Sequence, residues 1–230
     1  MATTGKEIET YLWHFQSDPA KLRELGSVVT FPKNTVIQKA GEIPEYAYYI
    51  LSGRVVSFEY TASGNERIYV ISSDGSLLLD GPLLLGRPMP VSFKTTKETQ
   101  VVRISRDSLT RAIMTDPQLA IDIINSNAEK LLSAMDFNRQ STSTSAEWKI
   151  CNLLLSLADN YGANYDNKIL IEEKISQQTI ANILGLNRIT TLRVMKELKD
   201  MSLVEQINGY YCIRSIEQLK KHMDFLEAGF

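Results

Sequence analysis

The sequence predicts an α+β chain that consists of an N-terminal β-roll (a double-stranded β-helix or jelly roll), a long dimerisation helix and a C-terminal winged helix-turn-helix. Three observations indicate this fold class. Short β-branched and aromatic runs fill residues 28–105, an apolar seam with alternating spacings of three and four follows, and two helical patterns meet at Gly185 before a hairpin signal.

The β-roll is expected over residues 1–116. Gly, Pro and Asn separate its strand-like runs, and Ser63-Gly64-Asn65 is one of the turns. Many short strands with legible turns are typical of a barrel or a double-sheet roll. A short helix is expected over residues 106–114. The predicted strands are VVTF, TVIQ, YAYYIL, RVVSFEYT, RIYVIS, VSFKT and TQVVRIS.

A long helix is expected over residues 117–140. Its apolar seam follows the spacing of a coiled coil, which favours dimerisation. Packing of the same stripe against the β-roll would explain the pattern equally well, and the two interpretations stay open. The seam consists of Ile121, Ile124, Ala128, Leu131, Met135 and Asn138.

A hinge is expected over residues 141–146, because short hydroxyl side chains compete for backbone hydrogen bonds and favour a helix break with a fresh cap before Trp148. The last domain is expected over residues 147–230. It should contain a helix at 147–160, a strand at 168–171, two further helices, and a β wing around Asn208-Gly209, a strong signal for a two-residue hairpin.

The two helices around Gly185 form a helix-turn-helix. Their inner faces are apolar, with Ile180, Ala181, Ile183 and Leu184 on the first helix and Thr191, Val194, Met195 and Leu198 on the second. The opposite face of the second helix carries cations and apolar groups that suit phosphates and base edges, which predicts a DNA interface. The predicted contacts are Ser176, Gln177, Gln178, Asn187, Arg188, Ile189, Thr190, Leu192, Arg193 and Lys196.

The distribution of charge along the chain supports a DNA interface in its C-terminal part. The net charge is −2, yet residues 174–221 carry eight Lys or Arg against four acidic side chains, so positive charge is concentrated in the predicted DNA interface. Two distant cysteines in apolar runs favour reduced, buried thiols over a disulfide. The absence of a signal peptide or membrane span predicts a cytoplasmic protein.

Two motifs carry a resemblance to a known family. Ile37 with Gly41, followed by Tyr48-Tyr49-Ile50-Leu51-Ser52-Gly53-Arg54-Val55, resembles the roll signature of the CRP/FNR family of bacterial transcription regulators. Asn187-Arg188-Ile189-Thr190-Thr191-Leu192-Arg193 is similar to its recognition helix. The resemblance covers nearly the whole chain. It implies a homodimer that binds two-fold symmetric DNA, works with RNA polymerase and senses a small molecule, gas or redox state.

Departures from the family pattern limit the kinds of signal that the protein is expected to sense. Cyclic-AMP sensors of the family carry a Gly-Glu pair and, ten positions after the Glu, an Arg-Ser pair. In this sequence Asp80 stands at the Glu position and Pro90-Val91 at the Arg-Ser position. Arg87 lies three positions before the place of the family's arginine. An iron–sulfur cluster needs N-terminal cysteines, but none precedes Cys151. The only histidines, His14 and His222, leave the roll without a haem or metal ligand set, which also argues against an enzyme.

The remaining resemblance is to members of the family that sense an organic effector between the roll and the long helix. Lys130 could pair with an anionic effector, although a solvated helix lysine is the alternative. The candidate effector residues are Leu79, Asp80, Gly81, Arg87, Lys130, Ala134 and Met135.

The recognition helix also departs from the family. Arg188 and Arg193 stand where the family presents arginines to the groove, and an arginine fork can bond guanine or phosphate. Ile189 replaces a glutamate that accepts from cytosine, and Leu192 replaces a Gly or Ser. Since Ile189 favours a thymine methyl, an A·T-rich site is expected. The alternative function is a cyclic-nucleotide-binding module without sequence-specific DNA binding.

Overall fold

The computed structural model describes residues 12–13, 19–62, 64 and 66–228, and it confirms the predicted α+β fold class. The chain divides into two compact units, one spanning Tyr11–Met135 and one that includes Asp136–Phe230. The predicted domain bounds at residues 116, 140 and 146 stay predictions. Ser63 and Asn65 of the predicted turn lie outside the described residues.

The first unit contains two sheets in its described part. One has the strand order β1-β6-β5-β8-β3 and the other β2-β9-β4-β7, and every pair is antiparallel except β1 with β6. The seven predicted strands are confirmed, whereas the two-residue strands β1 and β7 were too short to predict. The strands are β1 (Leu12–Trp13), β2 (Ser27–Phe31), β3 (Val36–Gln38), β4 (Tyr46–Ser52), β5 (Arg54–Tyr60), β6 (Glu66–Ser73), β7 (Leu77–Leu78), β8 (Ser92–Thr95) and β9 (Thr99–Ser105).

Helices α1 (Pro19–Glu24), α2 (Asp80–Leu85), α3 (Arg106–Thr115) and α4 (Pro117–Ser143) accompany these sheets. The cores follow the alternation of strand side chains. Ala47 and Tyr49 of β4 join one buried cluster with Leu119 and Ile123 of α4, while Tyr48 of β4 joins another. The roll-facing side of α4 is therefore the Leu119 and Ile123 side.

The predicted seam of α4 lies on another side of the helix. Ile121, Ile124, Leu131 and Met135 are all exposed, Leu131 by 61%. Ala128 and Asn138 are exposed as well. The interpretation that this stripe packs against the β-roll is therefore wrong, because Leu119 and Ile123 fill that contact.

Helix α4 extends into the segment where the hinge is expected. Helix α4 continues to Ser143, and only Thr144 and Ser145 separate it from the next helix, which begins at Ala146. Serine and threonine lower helix propensity by less than about 0.7 kcal/mol each, too little to end a helix that is already formed. The predicted cap is confirmed, because Ser145 Oγ accepts from the Trp148 backbone N–H at 3.1 Å.

The second unit has a four-stranded sheet with the order β10-β11-β13-β12. Asn208 and Gly209 both have positive φ, at 50° and 86°, and confirm the predicted two-residue hairpin. Strand β10 and helix α8 were not predicted. The elements are α5 (Ala146–Tyr161), β10 (Gly162–Tyr165), β11 (Lys168–Ile171), α6 (Gln177–Leu184), α7 (Arg188–Asp200), β12 (Val204–Ile207), β13 (Tyr210–Ile213) and α8 (Ile216–Ala228).

Both cysteines are buried and free, as predicted. Burial raises the pKa of the Cys151 thiol to about 12. Burial also raises the pKa of the Cys212 thiol. Across the described ranges, none of the helices has the length and apolar character needed to cross a bilayer.

Candidate nucleic-acid interface and effector site

Local capping positions the two helices of the predicted DNA interface. Ser176 Oγ accepts from the Thr179 backbone N–H at 3.0 Å and begins α6, and Gly185 ends it with a left-handed φ of 64°. Asn187 Oδ1 accepts from the Thr190 backbone N–H at 2.7 Å and begins α7. The turn between the helices is therefore fixed by three consecutive residues, 185–187.

The inner faces of α6 and α7 are buried as predicted. Ile180, Ala181, Ile183 and Leu184 of α6, with Thr191, Val194, Met195 and Leu198 of α7, are the buried residues of these two helices. Because these residues face the core, the opposite face of α7 is the side that a ligand can reach.

The opposite face of α7 is open to solvent. Ile189 is 79% exposed and Leu192 41% exposed, although both are large apolar side chains. Arg188, Arg193 and Lys196 are exposed beside them. The first three turns of α7 thus present cations and apolar groups together, the combination that phosphates and base edges can use.

One acidic neighbour of this face was missed by the sequence prediction. Arg193 Nη1 lies 2.8 Å from Glu197 Oε1, one helical turn further along α7. The spacing of four residues is the signal that could have revealed this pair. Glu197 therefore competes with DNA atoms for the donors of the Arg193 guanidinium.

The predicted contacts at the start of α6 differ in their surroundings. Ser176 serves as the cap, and Gln178 Nε2 donates to Asn182 Oδ1 at 2.8 Å on an exposed surface. Gln177 turns toward the wing, because its side chain hydrogen-bonds the buried Tyr211 hydroxyl. Burial raises the pKa of that hydroxyl, and the hydrogen bond opposes the shift.

Ion pairs brace the wing. Lys168 Nζ lies 2.7 Å from Glu205 Oε1, and Arg214 Nε lies 3.1 Å from Glu205 Oε2. Lys168 and, secondarily, Arg214 hold the pKa of the Glu205 carboxyl below its usual range. The same contact raises the pKa of Lys168. Lys174 adds a cation–π contact, with its Nζ 4.9 Å from the Tyr210 ring centroid.

The predicted effector residues Asp80 and Lys130 meet in the first unit. Asp80 is 1% exposed, and Lys130 Nζ lies 2.6 Å from its Oδ1 and donates to the Leu77 carbonyl at 3.0 Å. Asn127 Nδ2 donates to Asp80 Oδ2 at 2.7 Å. We call Asp80, Asn127 and Lys130 the Asp80 cluster. The alternative of a solvated Lys130 is wrong, since its side chain is mostly buried in this cluster.

The other predicted effector residues differ in whether they lie near the Asp80 cluster. Leu79 is buried with a left-handed φ of 62°, directly before α2, and a Cβ at Gly81 would lie 3.2 Å from Asn127 Oδ1. Arg87, Ala134 and Met135 are exposed and contribute nothing to the hydrogen bonds of the Asp80 cluster. Asn127 was missed, although it lies one helical turn before Lys130 and so shares its face.

Two family models match the two units. The model of the cyclic nucleotide-binding domain matches residues 28–116, and the model of the Crp-like helix-turn-helix domain matches residues 149–222. The chain belongs to the CRP/FNR family. It is an effector-responsive, DNA-binding transcription regulator, and the helix-turn-helix match does not favour the alternative of a binding module without DNA recognition.

Relatives of known role agree with this assignment. The regulator is 22% identical to the CRP-like cAMP-activated global transcriptional regulator of Mycobacterium tuberculosis H37Rv, over 74% of this chain and 75% of that one. It is 22% identical to the global nitrogen regulator of Nostoc sp. PCC 7120, over 77% and 80%.

Two solved structures share the fold at low identity. A CooA mutant from Carboxydothermus hydrogenoformans superposes with a TM-score of 0.76 at 14% identity, over 91% of this chain and 93% of that one. A CprK variant complexed with OCPA superposes with a TM-score of 0.71 at 18% identity, over 92% and 96%.

Proposed function

We propose that this regulator binds a two-fold symmetric, A·T-rich duplex site as a homodimer and that an organic effector controls it through the Asp80 cluster. The observation that carries the DNA part is the 79% exposure of Ile189 at the second position of α7. A large aliphatic side chain held in water at that position has an apolar partner to gain when the helix enters a major groove.

Ile189 and Leu192 define the sequence preference. Neither side chain can accept a hydrogen bond from cytosine N4, and both can contact the C5-methyl group of thymine. Arg188 is exposed beside Ile189 at the start of α7, where its planar fork can bond guanine or a phosphate. The half-site should therefore be A·T-rich, with a guanine contact only where Arg188 reaches.

The exposed seam of α4 supports the homodimer. Ile124, Leu131 and Met135 form an apolar stripe at coiled-coil spacing, and the β-roll does not cover it. A second copy of the same helix is complementary to this stripe by two-fold symmetry. Two copies would present two α7 helices to two half-sites, and RNA polymerase is the further partner of the bound dimer in the cytoplasm.

The Asp80 cluster supports an organic effector that acts on α4. Asp80 is the first residue of α2, whereas Asn127 and Lys130 belong to α4, so any ligand that displaces one of the three changes the attachment of α4. An anionic effector has to compete with the Asp80 carboxylate for Lys130. Since Pro90-Val91 replaces the phosphate-binding Arg-Ser pair, the effector is not expected to be a cyclic nucleotide, and no haem, iron–sulfur cluster or metal is invoked.

An in vitro selection of random duplex DNA, with and without a small-molecule extract of the host, tests this proposal. We expect a two-fold symmetric, A·T-rich consensus whose enrichment depends on the extract. The variant Ile189→Glu restores an acceptor and should move the preference toward cytosine at one symmetric step.

Ile43→Glu is the matched control, because Ile43 is an exposed isoleucine of the first unit. It should return the wild-type consensus. An identical consensus for wild type and Ile189→Glu would remove Ile189 from the readout. Failure of the wild-type protein to enrich any sequence, at low salt and with the extract present, would contradict the proposal as a whole.

A further inference from the structure

A cleft of about 300 Å³ lies between helices α5 and α8 within the second unit, and its lining includes no residue of α7. Its volume is within the range of small-molecule sites. One face of each helix lines it. Helix α5 contributes Trp148, Leu155 and Asp159, and helix α8 contributes Lys220, Met223, Asp224 and Glu227.

The floor of the cleft is apolar and firmly held. Trp148, Leu155 and Met223 are buried, Trp148 to all but 6% of its surface. The Ser145 cap fixes the start of α5, and His222 Nε2 lies 2.8 Å from Glu147 Oε1, which joins α8 to α5 beside Trp148. The two helices that carry the floor are therefore joined before any ligand arrives, which lowers the entropic cost of binding.

The rim of the cleft is predominantly acidic. Asp159, Asp224 and Glu227 supply three carboxylates against the single ammonium group of Lys220. An apolar floor under carboxylates suits a cation attached to an apolar body, because the carboxylates neutralise the cation and the apolar side chains contact the body. An anionic ligand would meet repulsion from the same rim.

Trp148 provides a second and independent observation. Its indole Nε1 is buried and has no hydrogen-bond partner among the residues that the structure describes. Buried donors are nearly always satisfied in folded proteins, so an unpaired one on a residue that lines a cleft points to a missing acceptor. A hydroxyl oxygen near the ammonium group of a ligand could supply that acceptor after a small shift of the ring, whereas binding of the ammonium group and the apolar body does not depend on it.

We propose that this cleft binds an organic cation, namely a primary ammonium group on an apolar body of about the size of phenethylamine. The site goes beyond the proposed function, since it is separate from the roll and from the DNA-reading face. Helix α5 packs against α6 and α7 as well as α8. A ligand in the cleft therefore contacts a helix that supports α6 and α7. Ligand and DNA affinities would then be coupled in both directions.

Tryptophan fluorescence tests the proposal directly. The chain has two tryptophans, Trp13 and Trp148, so in the full-length Trp13→Phe variant the emission reports Trp148 alone. Titration with phenethylammonium should produce a saturable change in emission. The same titration with 3-phenylpropionate, which has a similar body and the opposite charge, should produce none.

Paired variants locate the site. Asp159→Asn with Asp224→Asn should weaken phenethylammonium binding by at least about tenfold, because two of the three carboxylates are neutralised. Both aspartates are exposed, so the core is left intact; the single variants Asp224→Asn and Glu227→Gln give the same comparison in a milder form. Glu217→Gln, on α8 outside the cleft, should leave the affinity unchanged.

Three results would overturn the proposal: no saturable change with phenethylammonium, an equal response to 3-phenylpropionate, or unchanged affinity in the double variant. Binding of the Trp13→Phe protein to the selected duplex serves as a separate readout. If DNA binding persists while phenethylammonium fails, the cleft proposal falls and the proposed function stands.

Discussion

The two units contain ion pairs of opposite character. Lys130 and Asp80 meet across 50 positions of sequence, with side chains 16% and 2% exposed, whereas Arg193 and Glu197 lie one turn apart on α7 with side chains 63% and 41% exposed. A buried pair cannot lose one partner without leaving an uncompensated charge in the interior. An exposed pair can exchange a carboxylate for water or phosphate at little cost. The sensing unit therefore holds its cation, while the reading unit keeps Arg193 available to DNA.

Breaking the buried pair from one side should have the largest effect. Lys130→Met leaves Asp80 without its cation in an interior site and should lower the free energy of unfolding by about 3–5 kcal/mol. Urea unfolding of the wild-type and variant chains measures the difference. The double variant Asp80→Asn with Lys130→Met removes both charges and should recover most of the loss. Equal destabilisation in the single and double variants would show that packing, and not charge, explains the effect.

Removal of Arg188, which has no competing carboxylate on α7, should have the second-largest effect. Arg188→Ala should weaken binding to the selected duplex by about 1–3 kcal/mol and relax one base position. Arg193→Ala should cost less, because Glu197 competes with DNA for the donors of the wild-type Arg193. Fluorescence anisotropy titrations at fixed salt provide both values. A larger loss for Arg193→Ala than for Arg188→Ala would reverse the assignment of roles.

Release of Arg193 from Glu197 should increase the affinity for DNA, by less than the losses above. Glu197→Gln should strengthen DNA binding about twofold, which corresponds to the roughly 0.3–0.5 kcal/mol of an exposed i,i+4 pair. If the freed Arg193 reaches a phosphate, the slope of log K against log salt should steepen by about 0.9. Glu217→Gln is the matched control, since it breaks the Glu217–Lys221 pair of α8 with the same change of charge. An equal gain in both variants would point to net charge alone.

The partly buried pairs of the wing, Lys168–Glu205 and Arg214–Glu205, should show the weakest effect, through pH. The pKa of Glu205 is lowered by Lys168, so its stabilising contribution is present above the ordinary glutamate pKa and is lost as pH falls through the lower folded value. The pKa of Lys168 is raised, so its contribution is lost only as pH rises through the higher folded value. The difference in Tm between wild type and Glu205→Gln should therefore be present at neutral pH and shrink in acid. A difference that persists at pH values where glutamate is protonated would contradict the ion-pair origin.

Sequence reasoning succeeded where the structure is determined locally. Gly185 acts within a few residues of its own position, and it ends α6 at the predicted turn between the two helices. The same holds for Asn208-Gly209 and for most strands of the β-roll. The alternation of side chains along each strand is visible in one sequence, and it decides which residues reach the core.

The misses share a different physical cause. The Asp80 cluster depends on residues 47 to 50 positions apart, and no local pattern indicates that Asn127 and Lys130 of α4 meet Asp80. The end of α4 was placed too early because the propensities of three hydroxyl residues were given too much weight. Helix α8, which forms one wall of the organic-cation cleft, follows the last motif that the sequence analysis used, so that cleft was not anticipated either.

The two buried thiols have a practical consequence. The thiolate is the reactive form of cysteine, and the raised pKa values of Cys151 and Cys212 keep both residues protonated at neutral pH and shielded from reagents. The native cysteines should therefore react little with reagents used for site-directed labelling. A single cysteine introduced at Leu131 on the exposed seam would carry the one readily labelled thiol of each chain. Spin or fluorophore pairs could then report the distance between two copies without any prior removal of native cysteines.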